Sequence, residues 1–257
     1  MKKTLPWLLL VLVLGGPAAV YLWMNSEKPQ PQAEPAVAPQ AEPAIRYPIE
    51  SSASADDSAT LPSLGQSDPP LRDALLSLFG QSLDQVFNAK DIVRRVVATM
   101  DNLPREHVSL RLMPVKPVTG APVIERQGDN LVLSSANAAR YGSYVRLAEA
   151  APTAPLVALY VQFYPLFQEQ YEELGYPGKY FNDRVVQVID HLLSTPDLTR
   201  PAALTQPKVL YQFADPDLEA LSAGQKILLR VGPENAAKLK AKLREIRSAI
   251  VSNAAAE

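Results

Sequence analysis

Chemistry-bearing side chains crowd into residues 160–191 of this chain. Eight of its 18 aromatic residues lie there: Tyr160, Phe163, Tyr164, Phe167, Tyr171, Tyr176, Tyr180 and Phe181. Among them stand Glu169, Glu172, Glu173, Asp183, Arg184, Asp190 and His191. Aromatic faces beside acids, a guanidinium and an imidazole suit two kinds of chemistry. One is glycosidic hydrolysis, which needs two carboxyl groups roughly 5–10 Å apart, one of them with a raised pKa. The other is non-covalent recognition, with tyrosines stacking on and hydrogen-bonding to a sugar or peptide.

Spacing weighs against hydrolysis. Glu172 and Glu173 are adjacent, so on a helix they diverge. Glu169 and Glu173 share a helical face, an arrangement common on solvated surfaces. His191 has no serine at a recognisable nucleophile elbow. The phosphate-binding P-loop, the dinucleotide glycine fingerprint and the HExxH zinc motif are absent. With no cysteine, thiolate catalysis, disulfides and Cys-bound zinc are excluded. His107 and His191 are the only histidines, so a histidine metal site needs carboxylate partners. No cofactor or metal is expected, and no catalytic residue is assigned. A cell-wall glycan hydrolase using acids near 169–191 stands as the alternative to a binding role.

The binding candidates need one helix and one turn to position them. At 100° per residue, Phe181, Val185, Val188, Ile189 and Leu192 share an apolar face. Asp183, Arg184, Gln187, Asp190 and His191 fall on the opposite arc. Gly175-Tyr-Pro-Gly178 supplies a tight, stiff turn just before it. The candidate ligand-binding residues are therefore Tyr176, Tyr180, Asp183, Arg184, Gln187 and His191. The plainer reading of the arc is a wet face laced with helical ion pairs.

The remaining elements are mostly helical. Leu71, Leu75, Leu78 and Phe79 recur at helical spacing up to Gly80, and a second stripe runs from Ile92 to Met100 before Pro104. Val123–Leu133 reads as two short strands around Gly128-Asp129-Asn130, with Leu110 and Leu112 adding a strand before them. Helix is expected from Ser135 through Ala150, then over 156–174 with a kink or break at Pro165 and a cap at Gly175. Another helix covers Tyr180 to Leu193, and a strand covers Lys208 to Phe213. Asp215 and Pro216 open a helix that passes Leu218 and Leu228 and ends at Gly232. Pro233 begins the last helix, with Leu239, Leu243, Ile246 and Ile250 on one face. Lys226, Arg230, Lys238, Lys240, Lys242, Arg244 and Arg247 make this end basic. Such a run is usually the wet side of an amphipathic helix, and otherwise a surface for anionic lipid or an acidic partner.

The opening residues bear on location. Lys2 and Lys3 precede an uncharged apolar run from Leu5 to Met24, and about 20 such residues span a bilayer core. By the positive-inside rule the rest of the chain lies outside. A cleaved signal peptide is the rival, but Tyr21-Leu-Trp-Met24 continues the apolar run past the small residues Gly16, Ala18 and Ala19. Residues 25–68 are rich in proline and acids, and Gln32-Ala-Glu-Pro-Ala36 recurs as Gln40-Ala-Glu-Pro-Ala44. That composition predicts a disordered, semi-extended tether. The expected plan is a transmembrane anchor over 1–24, a linker over 25–68, one mainly α domain with a small β hairpin or short strands over 69–251, and a tail over 252–257.

Several runs carry a family resemblance: Asp101-Asn-Leu-Pro104, Leu174-Gly-Tyr-Pro-Gly-Lys-Tyr-Phe-Asn-Asp-Arg184, Val188-Ile-Asp-His-Leu-Leu193 and Gln206-Pro-Lys-Val-Leu-Tyr-Gln-Phe-Ala-Asp215. Leu221-Ser-Ala-Gly-Gln-Lys226 and Gly232-Pro-Glu-Asn235 join them. Over roughly residues 70–250 the chain resembles a bacterial family numbered 3014 among the domains of unknown function. The resemblance implies a Gram-negative source and an anchor before a variable linker, and it implies no activity. The expectation is a single-pass inner-membrane protein with a periplasmic domain. Its partners are the membrane and an envelope protein or cell-wall component, and not nucleic acid.

Overall fold

The computed structural model describes residues 45–49 and 61–254. The anchor expected over 1–24 and most of the linker lie outside those residues. Among the described residues no helix is long and apolar enough to cross a membrane.

The domain is mainly helical and carries a small antiparallel sheet. Its helices are α1 (Asp68–Phe79), α2 (Leu83–Val86), α3 (Ile92–Asn102), α4 (Ser135–Ala139), α5 (Gly142–Ala150), α6 (Thr153–Glu173), α7 (Phe181–Leu193), α8 (Pro216–Glu219), α9 (Ala223–Arg230) and α10 (Pro233–Ala254). The central helix is α6, which buries Val157, Leu159, Phe163, Tyr164, Leu166, Phe167 and Tyr171. Helices α1, α3, α7 and α10 pack around it. The expected face of α7 is the one that turns inward: Phe181 and Val188 are fully buried, and Val185, Ile189 and Leu192 nearly so. Val188 and Leu192 extend a second cluster to Leu228 of α9.

Strands β1 (Ile124–Gln127), β2 (Asn130–Leu133), β3 (Ala203–Thr205) and β4 (Gln212–Phe213) pair antiparallel in that order. The expected hairpin is present, with Ile124 opposite Leu133 and Gln127 opposite Asn130. Gly128 supplies the left-handed backbone of its turn. Fully buried Asn137 ties this hairpin to α9: it accepts from the N–H of Val123 at 3.1 Å and donates to the carbonyl of Arg230 at 3.2 Å.

Several expected elements differ, each for a local reason. Leu110–Leu112 is a 3-10 turn and not a strand, because side chains of α3 take its backbone carbonyls: Thr99 donates to Leu112 at 3.1 Å, and Arg95 reaches Arg111 and Met113. Helix α6 runs unbroken through Pro165. The lost N–H is offset by burial of Phe163, Tyr164, Leu166 and Phe167 on either side. The helix expected over 135–150 divides at Arg140 and Tyr141, where the bonds tighten to i→i−3 ahead of Gly142. The helix expected from Asp215 to Gly232 restarts at Ser222, whose hydroxyl and Gln225 form a reciprocal capping box. Only Gln212 and Phe213 of the expected strand 208–213 enter the sheet, and Val209 and Leu210 stand exposed at the hairpin tip.

The folded unit also reaches further than 69–251. Leu61 and Leu64 pack on the core ahead of α1, and α10 continues to Ala254, past the expected start of the tail. Within the segment expected to be linker, Tyr47 and Ile49 lie against the core. The Asp68 carboxylate caps α3, accepting from Asp91 and Ile92 at 2.7 and 2.8 Å. That bond joins the start of the domain to its second long helix.

Candidate functional site

The turn after α6 and the first turn of α7 build the site. Gly175 and Gly178 hold positive φ angles of 110° and 71°, which reverse the chain within a few residues. Helix α7 begins at Tyr180 with no side-chain cap of its own. Its first N–H groups are satisfied from α6: Phe181 donates to the Gln168 side chain at 2.8 Å, and Asn182 to the Tyr164 hydroxyl at 3.3 Å. This arrangement pins the N-terminus of α7 to the middle of the domain.

Beneath the turn lies Asp101, in the last turn of α3 and only 4% exposed. One carboxylate oxygen accepts from the Tyr176 hydroxyl at 3.0 Å and from Arg184 at 3.3 Å. The other accepts from Arg105. Arg184 also donates to the backbone carbonyl of Asp101 at 2.9 Å. Beside this carboxylate the Arg105 guanidinium is held above its ordinary pKa range. The Tyr176 ring stacks on Tyr171, with ring centroids 4.7 Å apart, and the Lys179 ammonium lies 5.3 Å from the Tyr176 centroid. Burial is the main cause that pushes the Tyr171 hydroxyl above its usual pKa, so it stays protonated.

These groups border an open cleft of about 520 Å³. Five of the six expected binding residues line it: Tyr176, Tyr180, Asp183, Arg184 and Gln187. Two of the five are engaged by a strap of the chain, and Gln187 accepts from Arg184 at 2.8 Å. A strap formed by residues 45–49 crosses the start of α7. The Asp183 carboxylate accepts from the N–H groups of Arg46 and Tyr47, at 3.1 and 2.9 Å. The Tyr180 hydroxyl bonds both the N–H and the carbonyl of Ile49, at 2.7 and 3.0 Å. Fully buried Asn182 donates to the Tyr47 carbonyl at 2.9 Å and accepts from Tyr160 at 3.1 Å. The open side of the cleft therefore falls to Tyr176, Lys179, Arg184 and the exposed Gln187. The Nε of Arg184 is buried and has no hydrogen-bond partner among the described residues.

His191 belongs elsewhere. It lines a second cleft of about 530 Å³ with Glu106, Glu219 and Ser222. Its Nε2 lies 2.9 Å from the Ser222 hydroxyl, so the serine that the sequence did not place beside it is present after all. This pair serves as a helix cap. The Ser222 hydroxyl accepts from Gln225, and the neighbouring N–H groups of Ala223 and Gly224 are spent on the carbonyls of Arg105 and Leu103. Donors so engaged cannot stabilise an oxyanion. Glu169, Glu172 and Glu173 are all exposed, and none borders either cleft. Glu172 and Glu173 accept from Gln168 and Gln170.

The basic C-terminal run is also not a free surface. Lys240 and Lys226 are 3% and 6% exposed. Lys240 donates to the Thr195 carbonyl and to Asp197, and Lys226 to Glu219. Arg247 pairs with Asp190, Lys242 with Glu245 and Lys238 with Glu149. Five of the seven basic residues are thus neutralised within the fold.

Fold and cleft together define a mainly helical domain with a small four-stranded antiparallel sheet and an aromatic, ion-paired groove at the start of one helix. The family described as "Protein of unknown function (DUF3014)" matches residues 92–247, more than half of the chain, and the chain belongs to that family. The match takes in α3, α6 and α7, which wall the cleft, and it leaves out the strap. No curated protein matches the chain, and no solved structure does.

Proposed function

We propose that this chain is a non-catalytic binding or scaffold module of the bacterial cell envelope. It is held at the inner membrane by residues 1–24, with its domain in the periplasm. The location rests on Lys2 and Lys3 ahead of an uncharged run of membrane-spanning length. The binding role rests on one observation above all: an open cleft bordered by the stacked Tyr171 and Tyr176 rings, the Arg184 guanidinium and the exposed Gln187. Convergent polar groups on an aromatic wall suit a protein segment or a cell-wall component.

The test is photocrosslinking in intact cells from Gln187, which no strap residue engages through the hydrogen bonds described. A crosslink to one defined protein or to peptidoglycan, lost on Arg184→Gln, is the expected result. Turnover of purified cell-wall glycan by the protein, with no specific crosslink, would reverse the ranking in favour of the hydrolase alternative.

A further inference from the structure

The strap is recognised in an unusual way. All of its hydrogen bonds to α7 and Tyr180 run between its own backbone and the side chains of Tyr180, Asn182 and Asp183. The site calls for N–H donors at two successive residues, skips the next, and calls for one more. Pro48, which has no N–H, sits at the skipped position. The flanking side chains, Tyr47 and Ile49, rest half-buried on the core cluster. The pattern read is therefore aromatic-proline-aliphatic on a backbone that bends at Arg46 and Tyr47, which turns both N–H groups toward Asp183.

The helix end beneath the strap is satisfied without its occupant. Gln168 and Tyr164 satisfy the first N–H groups of α7, and Tyr160 holds Asn182. If the strap leaves, the partners it releases are the Asp183 carboxylate, the Tyr180 hydroxyl and the amide of Asn182, and water reaches the first two readily. No strap residue is fully buried: Ile45 and Arg46 are exposed, and Tyr47, Pro48 and Ile49 are intermediate. A segment joined to its site through a short stretch of chain acts at an effective concentration on the order of millimolar. A resident held in that way competes with external ligands without excluding them.

We propose that the first turn of α7 is a docking groove for a segment of another protein carrying an aromatic-proline-aliphatic triplet on a bent backbone, and that residues 45–49 are its resident, exchangeable occupant. This deepens the reading of the cleft as a binding surface, on which it rests, by assigning a ligand class: peptide main chain bent so that two successive N–H groups meet one carboxylate. Recognition through main-chain donors gives affinity, and the two apolar side chains and the proline give selectivity.

The test uses the full chain and a fluorescein-labelled peptide, Ala-Ile-Arg-Tyr-Pro-Ile-Glu, which copies residues 44–50. Binding is read by fluorescence polarisation to three proteins: the natural chain, a strap-weakened chain (Tyr47→Gly with Ile49→Gly), and that chain with Asp183→Ala added. Peptide affinity should rise at least tenfold when the strap is weakened and fall at least tenfold when Asp183 is then removed. A control peptide with proline moved two places earlier, Ala-Ile-Pro-Arg-Tyr-Ile-Glu, should fail to bind. Circular dichroism confirms that each variant keeps its helices. As a second weakened strap that keeps Ile49, Tyr47→Pro deletes the N–H to Asp183 together with the ring that packs on the core. Equal affinity for the natural and weakened chains overturns the proposal. So does a concentration-dependent dimer of the natural chain with no peptide binding, which would make a second copy the occupant. Peptide failure in folded variants, with crosslinks from position 187 intact, removes the groove and leaves the wider cleft reading standing.

Discussion

Replacing Asp101 with asparagine should destabilise the domain by about 2–3 kcal/mol. Asp101 is nearly buried and answers two guanidinium groups and one hydroxyl. Removing one partner of a buried ion pair costs about 3–5 kcal/mol, because the other charge is stranded. Two features soften this. Asparagine keeps the shape and one acceptor oxygen for Tyr176, and Arg184 retains the backbone carbonyl of residue 101. The two arginines also differ. The Arg184 side chain is 20% exposed and that of Arg105 is 54% exposed, so water screens the second pair far more. Urea titration of the full chain reads the total, as a midpoint lowered by about 1 M with an unchanged slope. Double-mutant cycles with Arg184→Gln and Arg105→Gln read the partition, expected at about 2 kcal/mol for position 184 and below about 1 kcal/mol for position 105. An Asp101→Asn cost below about 0.5 kcal/mol, or a stronger coupling to Arg105 than to Arg184, refutes the account of this carboxylate as the keystone of the cleft wall.

Two further outcomes are expected. At Gly224 a Cβ would stand 2.5 Å from a Leu192 methyl and 3.1 Å from the Leu103 carbonyl. Gly224→Ala should therefore lose about 1–2 kcal/mol in the same titration despite the better helix propensity of alanine. For Glu219, burial raises the pKa, but the Phe213 N–H, Lys226 and Arg230 outweigh it, so the folded value lies below the usual 4.5. A depressed folded value means stability that is present above pH 4.5 and lost as pH falls through the folded value. Glu219→Gln should flatten that acid limb in pH-dependent thermal unfolding, and an unchanged slope would contradict the assignment.

Helical periodicity made much of this fold legible. The inward face of α7 was readable from five apolar positions, the hairpin from Gly128, and the start of α8 from Asp215 and Pro216. Asp101 was not readable. At the end of an apolar stripe it looks like an ordinary last-turn polar residue, and its partners Tyr176 and Arg184 lie 75 and 83 positions away. Lys240 was hidden similarly, since a lysine among lysines reads as solvated until Thr195 and Asp197 are folded over it. The strap did leave a signal: Tyr47 and Ile49 set large apolar side chains on either side of Pro48 within an otherwise polar stretch. Composition averaged over the proline-rich segment diluted it. The six binding candidates separated because successive turns of one helix face different neighbours, which sent His191 to α9 and the other five to the α3 side.

The strap also decides where a mechanical load enters the molecule. Tension arriving along the chain from its N-terminal side meets the bonds at Arg46 first, then those at Tyr47, then those at Ile49, one after another. Such a peeling contact yields in small steps and can re-form when the pull relaxes. It works like the strain relief on a cable, so the force is spent on a renewable seam before it is transmitted to the packed helices.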